Sequence, residues 1–147
     1  MFKSTSSALV IAAVAFVGGY AFRNVVTPVA SVHAAADRVF EMRTYTAAPG
    51  KFEALKARFR DHTIRLFTKH GITNVGYWVP LDPPLSENTL IYILAYPSRE
   101  AAQKSWAAFQ ADPEWVKART ESEKDGPIMV GRPASVFLSP ADFSQMK

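Results

Sequence analysis

The stretch Val39–Thr46, VFEMRTYT, governs the interpretation of the whole chain. If it forms a β-strand, successive side chains alternate between two faces. One face then carries Phe40 and Met42, and the other carries Glu41, Arg43 and Tyr45. Strand faces that meet only water usually carry simple polar residues, so an acid, a guanidinium and a phenol together suggest an enclosed polar space. We therefore expect Phe40 and Met42 to pack under helices.

The periodicity after this strand predicts a helix and two further strands. Apolar residues recur mostly every three or four positions over 50–69, which predicts a helix that ends at Gly71. Its expected inner stripe comprises Phe52, Leu55, Phe59, His62, Leu66 and Phe67. Residues 72–81 have the composition of a strand, and residues 89–96, TLIYILAY, are apolar on both faces. A strand that is apolar on both faces is typical of the centre of a sheet that is covered on both sides.

The remaining predicted elements define the fold class. Ser98 and Asp112 are suited to be the N-caps of two more helices, and residues 134–139 predict the last strand. The first of these helices has the inner stripe Ala102, Trp106 and Phe109. The order β-α-β-β-α-(α)-β predicts an α+β fold with a ferredoxin-like split β-α-β arrangement, in which both main helices cover one face of an antiparallel sheet.

The face of the sheet away from the helices needs a cover. Residues 89–96 are apolar on both sides, and a large exposed apolar patch is rare on a monomer. We expect a homodimer in which two sheets meet as a dimeric α+β barrel. Glu41, Arg43 and Tyr45 would face the barrel interior together with Tyr92, Leu94 and Tyr96.

The first 36 residues differ from the rest of the chain. They contain no acid, begin with a short basic stretch, continue with the apolar run 8–17 and reach small residues at 34–36. These features are those of a secretory signal peptide, although an uncleaved N-terminal membrane anchor with a linker also fits. We expect residues 1–36 to be dispensable for folding, residues 37–147 to form one domain, and the domain to be exported or membrane-tethered on the extracytoplasmic (periplasmic) side.

The composition excludes several classes of function. The chain of 147 residues contains no cysteine, so disulfides, thiolate nucleophiles and cysteine-ligated metals are ruled out. The net charge is +4, but the bases are dispersed, which argues against nucleic acid as a partner. Three scattered histidines without a paired ligand motif predict no metal site, and no cofactor is predicted.

Six short motifs resemble those of the NIPSNAP family. They are FEMRTYTAAPGKFEAL at 40–55, Gly-Tyr-Trp at 76–78, YPSREA at 96–101, Trp106, DPEW at 112–115 and VFLSP at 136–140. Their order and spacing fit over 37–143. The resemblance implies a dimeric α+β barrel, a fold shared with cofactor-free monooxygenases, small isomerases and some haem proteins. It does not imply a particular reaction.

The candidate ligand-binding residues are Glu41, Arg43, Tyr45, Tyr77, Trp78, Tyr92 and Tyr96. Arg43 could bind an anionic group and Tyr45 could donate a hydrogen bond. Alternatively, Glu41 and Arg43 form an internal salt bridge that only satisfies itself. Tyr77 and Trp78 point to opposite faces of their strand, so only one of them can face the barrel. The sequence identifies no catalytic residue.

Three kinds of function remain open. The first is a protein that binds a small apolar or anionic molecule between the two sheets, with or without cofactor-free monooxygenase or isomerase activity. The second is a non-catalytic dimeric interaction or structural module. The third is a haem-binding protein, for which His62 or His70 would supply the imidazole. Their positions predict instead a packed histidine at 62 and a helix-terminal histidine at 70.

Overall fold

The computed structural model describes residues 38–147, so the predicted export segment lies outside the described residues. Strand β1 spans Val39–Thr46, β2 Thr73–Trp78, β3 Thr89–Tyr96 and β4 Ala134–Leu138. Helix α1 consists of the α-helical parts Phe52–Arg58 and Ile64–Lys69 joined by a π-helical turn, Phe59–Thr63. Helices α2 and α3 span Arg99–Ala111 and Pro113–Ser122, and a 3₁₀ turn occupies Leu85–Glu87. Within 38–147 no helix has the length and apolar character that a membrane crossing requires.

The four strands form one antiparallel sheet in the order β2-β3-β1-β4. The predicted α+β class is confirmed, and β3 occupies the central position that its two apolar faces indicated. A bulge between Asn74 and Gly76 shifts the register of β2 against β3. The sheet therefore places the residues of β1 next to those of both β3 and β4.

Local signals fix the ends of the helices. Ser98 accepts a hydrogen bond from the backbone N–H of Ala101, and Asp112 accepts one from that of Glu114. Pro113 follows Asp112 at the first helical position, where a missing N–H costs nothing. Gly71 has a φ of 74°, the left-handed conformation expected after the end of α1.

The π-helical turn changes one position of the buried side of α1. The predicted inner stripe is buried except at His62, and the buried residues of this turn are Phe59 and Thr63. A π turn has a wider spacing than the 3.6 residues of an α-helix, so it displaces the stripe that follows from regular periodicity. Arg58, just before the turn, is also buried. The turn therefore adds the hydroxyl of Thr63 to a buried side of α1 that already includes Arg58.

The two faces of the sheet are the reverse of the prediction. Tyr45 packs edge-on against Phe59 of α1 with ring centroids 5.5 Å apart, and Trp106 of α2 donates a hydrogen bond to Glu41. Glu41, Arg43 and Tyr45 thus lie under the helices, and so do Tyr92, Leu94 and Tyr96. The prediction of which residues share a face was correct, but the polar face was assigned to the wrong side of the sheet. The alternation of side chains along a strand does not indicate which of its two faces the helices cover.

The open face of the sheet is apolar. It carries Phe40, Met42, Ile91, Ile93, Val136, Leu138 and Trp78. The C-terminal segment covers Phe40 and leaves a groove of about 340 Å³, with Phe143 itself 87% exposed. This face, and not the one with Arg43, is the one that lacks helices.

A candidate binding cavity between the sheet and the helices

A cavity of about 740 Å³ lies between the helix-covered face of the sheet and helices α1, α2 and α3. Its wall contains the aromatic residues Tyr45, Phe59, Phe67, Trp106, Phe109 and Trp115. Its charged lining consists of Arg43, Arg58, Arg119, Arg132 and Glu123. Four guanidinium groups against one carboxylate give the cavity an excess of positive charge. Its volume is in the range of small-molecule sites.

Glu41 lies behind the cavity floor, where it binds Arg43 and Trp106. The residue is 1% exposed, and its carboxylate accepts four hydrogen bonds. The donors are Arg43 Nη1 at 2.6 Å, Ser135 Oγ at 2.6 Å, Trp106 Nε1 at 2.8 Å and the Tyr96 hydroxyl at 2.9 Å. Burial alone would raise the pKa of Glu41, but the hydrogen bonds from Ser135 and Trp106 and the charge of Arg43 hold it below its usual value. Glu41 is therefore an anion that positions Arg43.

Arg43 is held on one side and left unpaired on another. Its guanidinium carbon lies 4.4 Å from the centroid of the Trp106 ring and 5.7 Å from that of Tyr45. Nη1 donates to Glu41, whereas the buried Nε has no hydrogen-bond partner. A buried donor without a partner costs free energy, so Arg43 is incompletely satisfied in the empty domain. Within residues 38–147, Nη2 makes no hydrogen bond and is the nitrogen through which Arg43 can meet an acceptor in the cavity.

Arg58 repeats this arrangement beside Trp115. Its side chain is 2% exposed, and Nη1 donates to Glu123 at 2.8 Å and to Ser122 at 3.3 Å. The guanidinium carbon lies 5.3 Å from the centroid of the Trp115 ring. The Nε of Arg58 is also buried without a partner. Each of the two arginines is thus paired with a carboxylate, stacked on an indole and unsatisfied at Nε.

The tyrosines beside the cavity remain neutral. Tyr92 packs against Tyr45 with ring centroids 5.3 Å apart and stacks on Tyr77 at the same distance. Burial raises the pKa of Tyr92, Tyr77 and Tyr96 above the ordinary value for a phenol. The buried hydroxyl of Tyr92 has no partner. These phenols can donate hydrogen bonds but do not supply a phenolate near neutral pH.

The predicted site residues divide into three groups. Arg43 and Tyr45 line the cavity. Glu41 and Tyr96 lie behind Arg43, and Tyr77 and Tyr92 belong to the adjoining aromatic core. Trp78 is 49% exposed on the open face and does not belong to the site.

Sequence reasoning missed Arg58, Arg119 and Arg132. Arg58 follows Leu55 by three residues, so it lies on the inner side of α1, and this spacing was a readable signal. Arg119 and Arg132 are exposed cavity-lining residues that no local pattern distinguishes from solvated arginines.

The two histidines within 38–147 lie outside the cavity. His62 faces a shallow depression against α3, beside Ala118. His70 follows the end of α1, and its Nε2 lies 2.7 Å from the Asp112 carboxylate. In the same range, no group of three potential ligands is arranged to hold a metal ion.

Solved structures with the same fold include several bacterial proteins. A NIPSNAP-like domain protein from Burkholderia xenovorans is 23% identical, with a TM-score of 0.64 over 74% of this chain and 90% of its own. A NIPSNAP family protein of unknown function from Agrobacterium tumefaciens is 24% identical, with a TM-score of 0.65 over 76% and 96% of the two chains. A Streptomyces coelicolor monooxygenase from the gene ActVA-Orf6, in complex with the ligand nanaomycin D, is 17% identical, with a TM-score of 0.51 over 72% and 89%.

The likeness to these structures shows the fold alone. No curated protein matches the sequence. The NIPSNAP family model matches residues 40–145, which contain β1 from its second residue, the other three strands, all three helices and every residue that lines the cavity. The chain belongs to the NIPSNAP family.

Proposed function

We propose that the domain binds a small organic anion with an aromatic or other planar apolar body in the cavity between its sheet and its helices. The observation that carries this proposal is the lining: four arginines and one carboxylate around a cavity walled by aromatic rings. Guanidinium groups recognise carboxylates, and aromatic walls bury a planar apolar body. The binding space lies within one subunit and not, as the sequence predicted, between two sheets.

Arg43 is the anchor for the acidic group of the ligand. The salt bridge with Glu41 does not exclude this role, because Glu41 has three donors besides Arg43 and engages only Nη1. The sequence left two interpretations of Arg43 open, an internal ion pair with Glu41 and a ligand-binding residue. The two roles are compatible within one arrangement. Glu41 orients the guanidinium, and the guanidinium binds the ligand.

The test is the thermal stabilisation of the domain by a set of aromatic carboxylates. At a ligand concentration of 100 Kd, binding stabilises the wild type by about 2.7 kcal/mol. Arg43→Met should abolish this gain, because it removes the charge and keeps an apolar stem of similar length. Arg99 provides the matched control: its guanidinium also stacks on an aromatic ring, Phe137, at 4.5 Å, but it does not line the cavity. Arg99→Met should keep the full gain.

Two results would contradict the proposal. One is an equal stabilisation of wild type and Arg43→Met by every compound that binds. The other is the absence of binding by any compound of the set, which would favour the alternative of a structural or interaction module. The haem alternative has less support, since neither histidine of the described part of the chain lines the cavity.

Whether the bound molecule reacts is a separate matter. The Streptomyces coelicolor neighbour is a monooxygenase, and its complex with nanaomycin D supports the idea that this fold can hold an organic ligand. The cavity of the present chain offers the guanidinium groups of its arginines and the hydroxyl of Tyr45 as hydrogen-bond donors. These groups support binding, and we assign no catalytic residue.

We further propose that a second copy of the chain covers the open face of the sheet. The apolar surface there is continuous, because neighbouring antiparallel strands place Met42, Ile91, Ile93 and Val136 side by side. A homodimer through this face leaves both cavities on the outside of the barrel. The binding proposal therefore does not require the dimer.

Export of the domain through residues 1–36 is likewise a proposal, which rests on the sequence pattern. We expect the full chain to be recovered in the membrane or extracytoplasmic fraction of a bacterial host, and a chain starting at Arg38 to be recovered in the cytoplasm. The shortened chain should still unfold cooperatively, because the sheet begins at Val39. Cytoplasmic recovery of both chains would contradict the export, and aggregation of the shortened chain alone would contradict the domain boundary.

A further inference from the structure

Arg43 and Arg58 occupy opposite ends of one aromatic wall. Arg43 lies 4.4 Å from the ring centroid of Trp106, whose centroid is 5.6 Å from that of Phe109. Phe109 is in turn 4.5 Å from Trp115, and Arg58 lies 5.3 Å from Trp115 at the far end. All five side chains line the cavity. The order along the wall is therefore guanidinium, three rings, guanidinium.

The arginines at the two ends of the wall have the same incomplete hydrogen bonding. Each guanidinium donates from Nη1 to one carboxylate, Glu41 or Glu123, and within residues 38–147 neither Nη2 makes a hydrogen bond. One acceptor at each end of the cavity would pair both of these free Nη2 groups. A ligand with a single acidic group can satisfy only one of them.

We infer that the ligand is an elongated dianion, with an apolar body and an acidic group at each end. The body lies along Trp106, Phe109 and Trp115, and the two acidic groups bind Arg43 and Arg58. This inference rests on the proposed function and specifies the class of ligand. Arg58 is then a second binding residue, contributed by the residue just before the π-helical turn of α1.

The experiment compares affinities within matched pairs of compounds by calorimetry. Each pair consists of a rigid aromatic dicarboxylate with its acids at opposite ends, such as terephthalate, naphthalene dicarboxylate or biphenyl dicarboxylate, and the monocarboxylate of the same ring system. The wild-type domain should prefer the dicarboxylate of at least one pair by about tenfold or more, the effect of one extra charge-assisted hydrogen bond. Arg58→Met should reduce this preference to about one.

A second variant keeps the test decisive if Arg58→Met does not fold. Glu123→Gln removes the carboxylate that competes for Arg58 and leaves the arginine in place, so it should increase the preference for the dicarboxylate. Arg99→Met is the control and should leave the preference as in the wild type.

The outcomes separate this inference from the proposed function. Equal affinities for the dicarboxylate and monocarboxylate of every pair would overturn the dianion and leave the anion-binding cavity intact. A preference for the dicarboxylate that Glu123→Gln does not increase would likewise overturn the dianion and leave the anion-binding cavity intact. Failure of both classes of compound to bind would overturn the proposed function as well.

Discussion

Replacement of Glu41 by leucine should lower the free energy of unfolding by about 3–5 kcal/mol, the usual cost of breaking a buried ion pair from one side. Leucine has a similar size but accepts no hydrogen bond. The change leaves the Arg43 guanidinium, the Tyr96 hydroxyl and the Trp106 N–H without their shared acceptor. For a domain of about a hundred residues, such a loss lowers Tm by more than about 12 °C.

The control for this change is Glu53→Leu. Glu53 pairs only with Lys56 on the surface, and its side chain is 83% exposed. The loss there should stay within about 0.5 kcal/mol. Chemical denaturation of the three proteins measures the difference. A loss below about 1 kcal/mol for Glu41→Leu would show that the carboxylate does not hold the cavity floor together.

The pH dependence of stability gives an independent readout of the same carboxylate. The pKa of Glu41 is lower in the folded domain than its ordinary value of 4.5. A group of this kind stabilises the fold above its unfolded pKa, and the contribution disappears as the pH falls through the folded pKa. The stability difference between wild type and Glu41→Gln should therefore be constant above pH 4.5 and shrink below it.

Leu94→Asp should prevent folding, whereas Ile93→Asp should give a folded domain that no longer dimerises. Leu94 is fully buried on the helix-covered face, and a carboxylate there would have no partner. The cost exceeds about 4 kcal/mol, much of the stability of an average domain. Ile93 lies on the open face, where a charge is hydrated in the single subunit but would be buried in the proposed dimer.

Circular dichroism and analytical ultracentrifugation distinguish these outcomes. The expected results are an unfolded Leu94→Asp chain, a dimeric wild type and a monomeric, folded Ile93→Asp chain at micromolar concentration. A monomeric wild type, or an Ile93→Asp variant that still dimerises, would contradict the interface. A folded Leu94→Asp chain would contradict the assignment of the faces.

Local patterns were sufficient for the elements of the fold. The capping residues Ser98 and Asp112, the left-handed Gly71 and the doubly apolar β3 each depend on neighbours in sequence, and each was predicted correctly. The assignment of the two faces failed because it depends on packing between distant segments. The π-helical turn escaped prediction for a related reason, since regular periodicity assumes a constant helical spacing.

The candidate site was predictable only in part. Glu41, Arg43 and Tyr45 stand out within eight residues of one strand. The partners of Glu41, however, are Tyr96, Trp106 and Ser135, which lie 55 to 94 positions further along the chain. Nothing in the local sequence of those residues indicates a shared acceptor. A buried acid next to an arginine indicates that hydrogen-bond partners exist, but only the folded structure shows which residues they are.

The fourfold hydrogen bonding of Glu41 has a consequence for how an anion is captured. The hydrogen bonds around Glu41 are complete in the empty domain, so the proposed binding at Arg43 would need no costly rearrangement. Arg119 and Arg132, by contrast, are exposed where the cavity meets solvent. They can draw an anion toward the opening by long-range electrostatic steering, which salt weakens. Capture of the proposed ligand would then divide into a fast, salt-sensitive approach governed by the arginines at the opening and a final docking step governed by a preorganised floor.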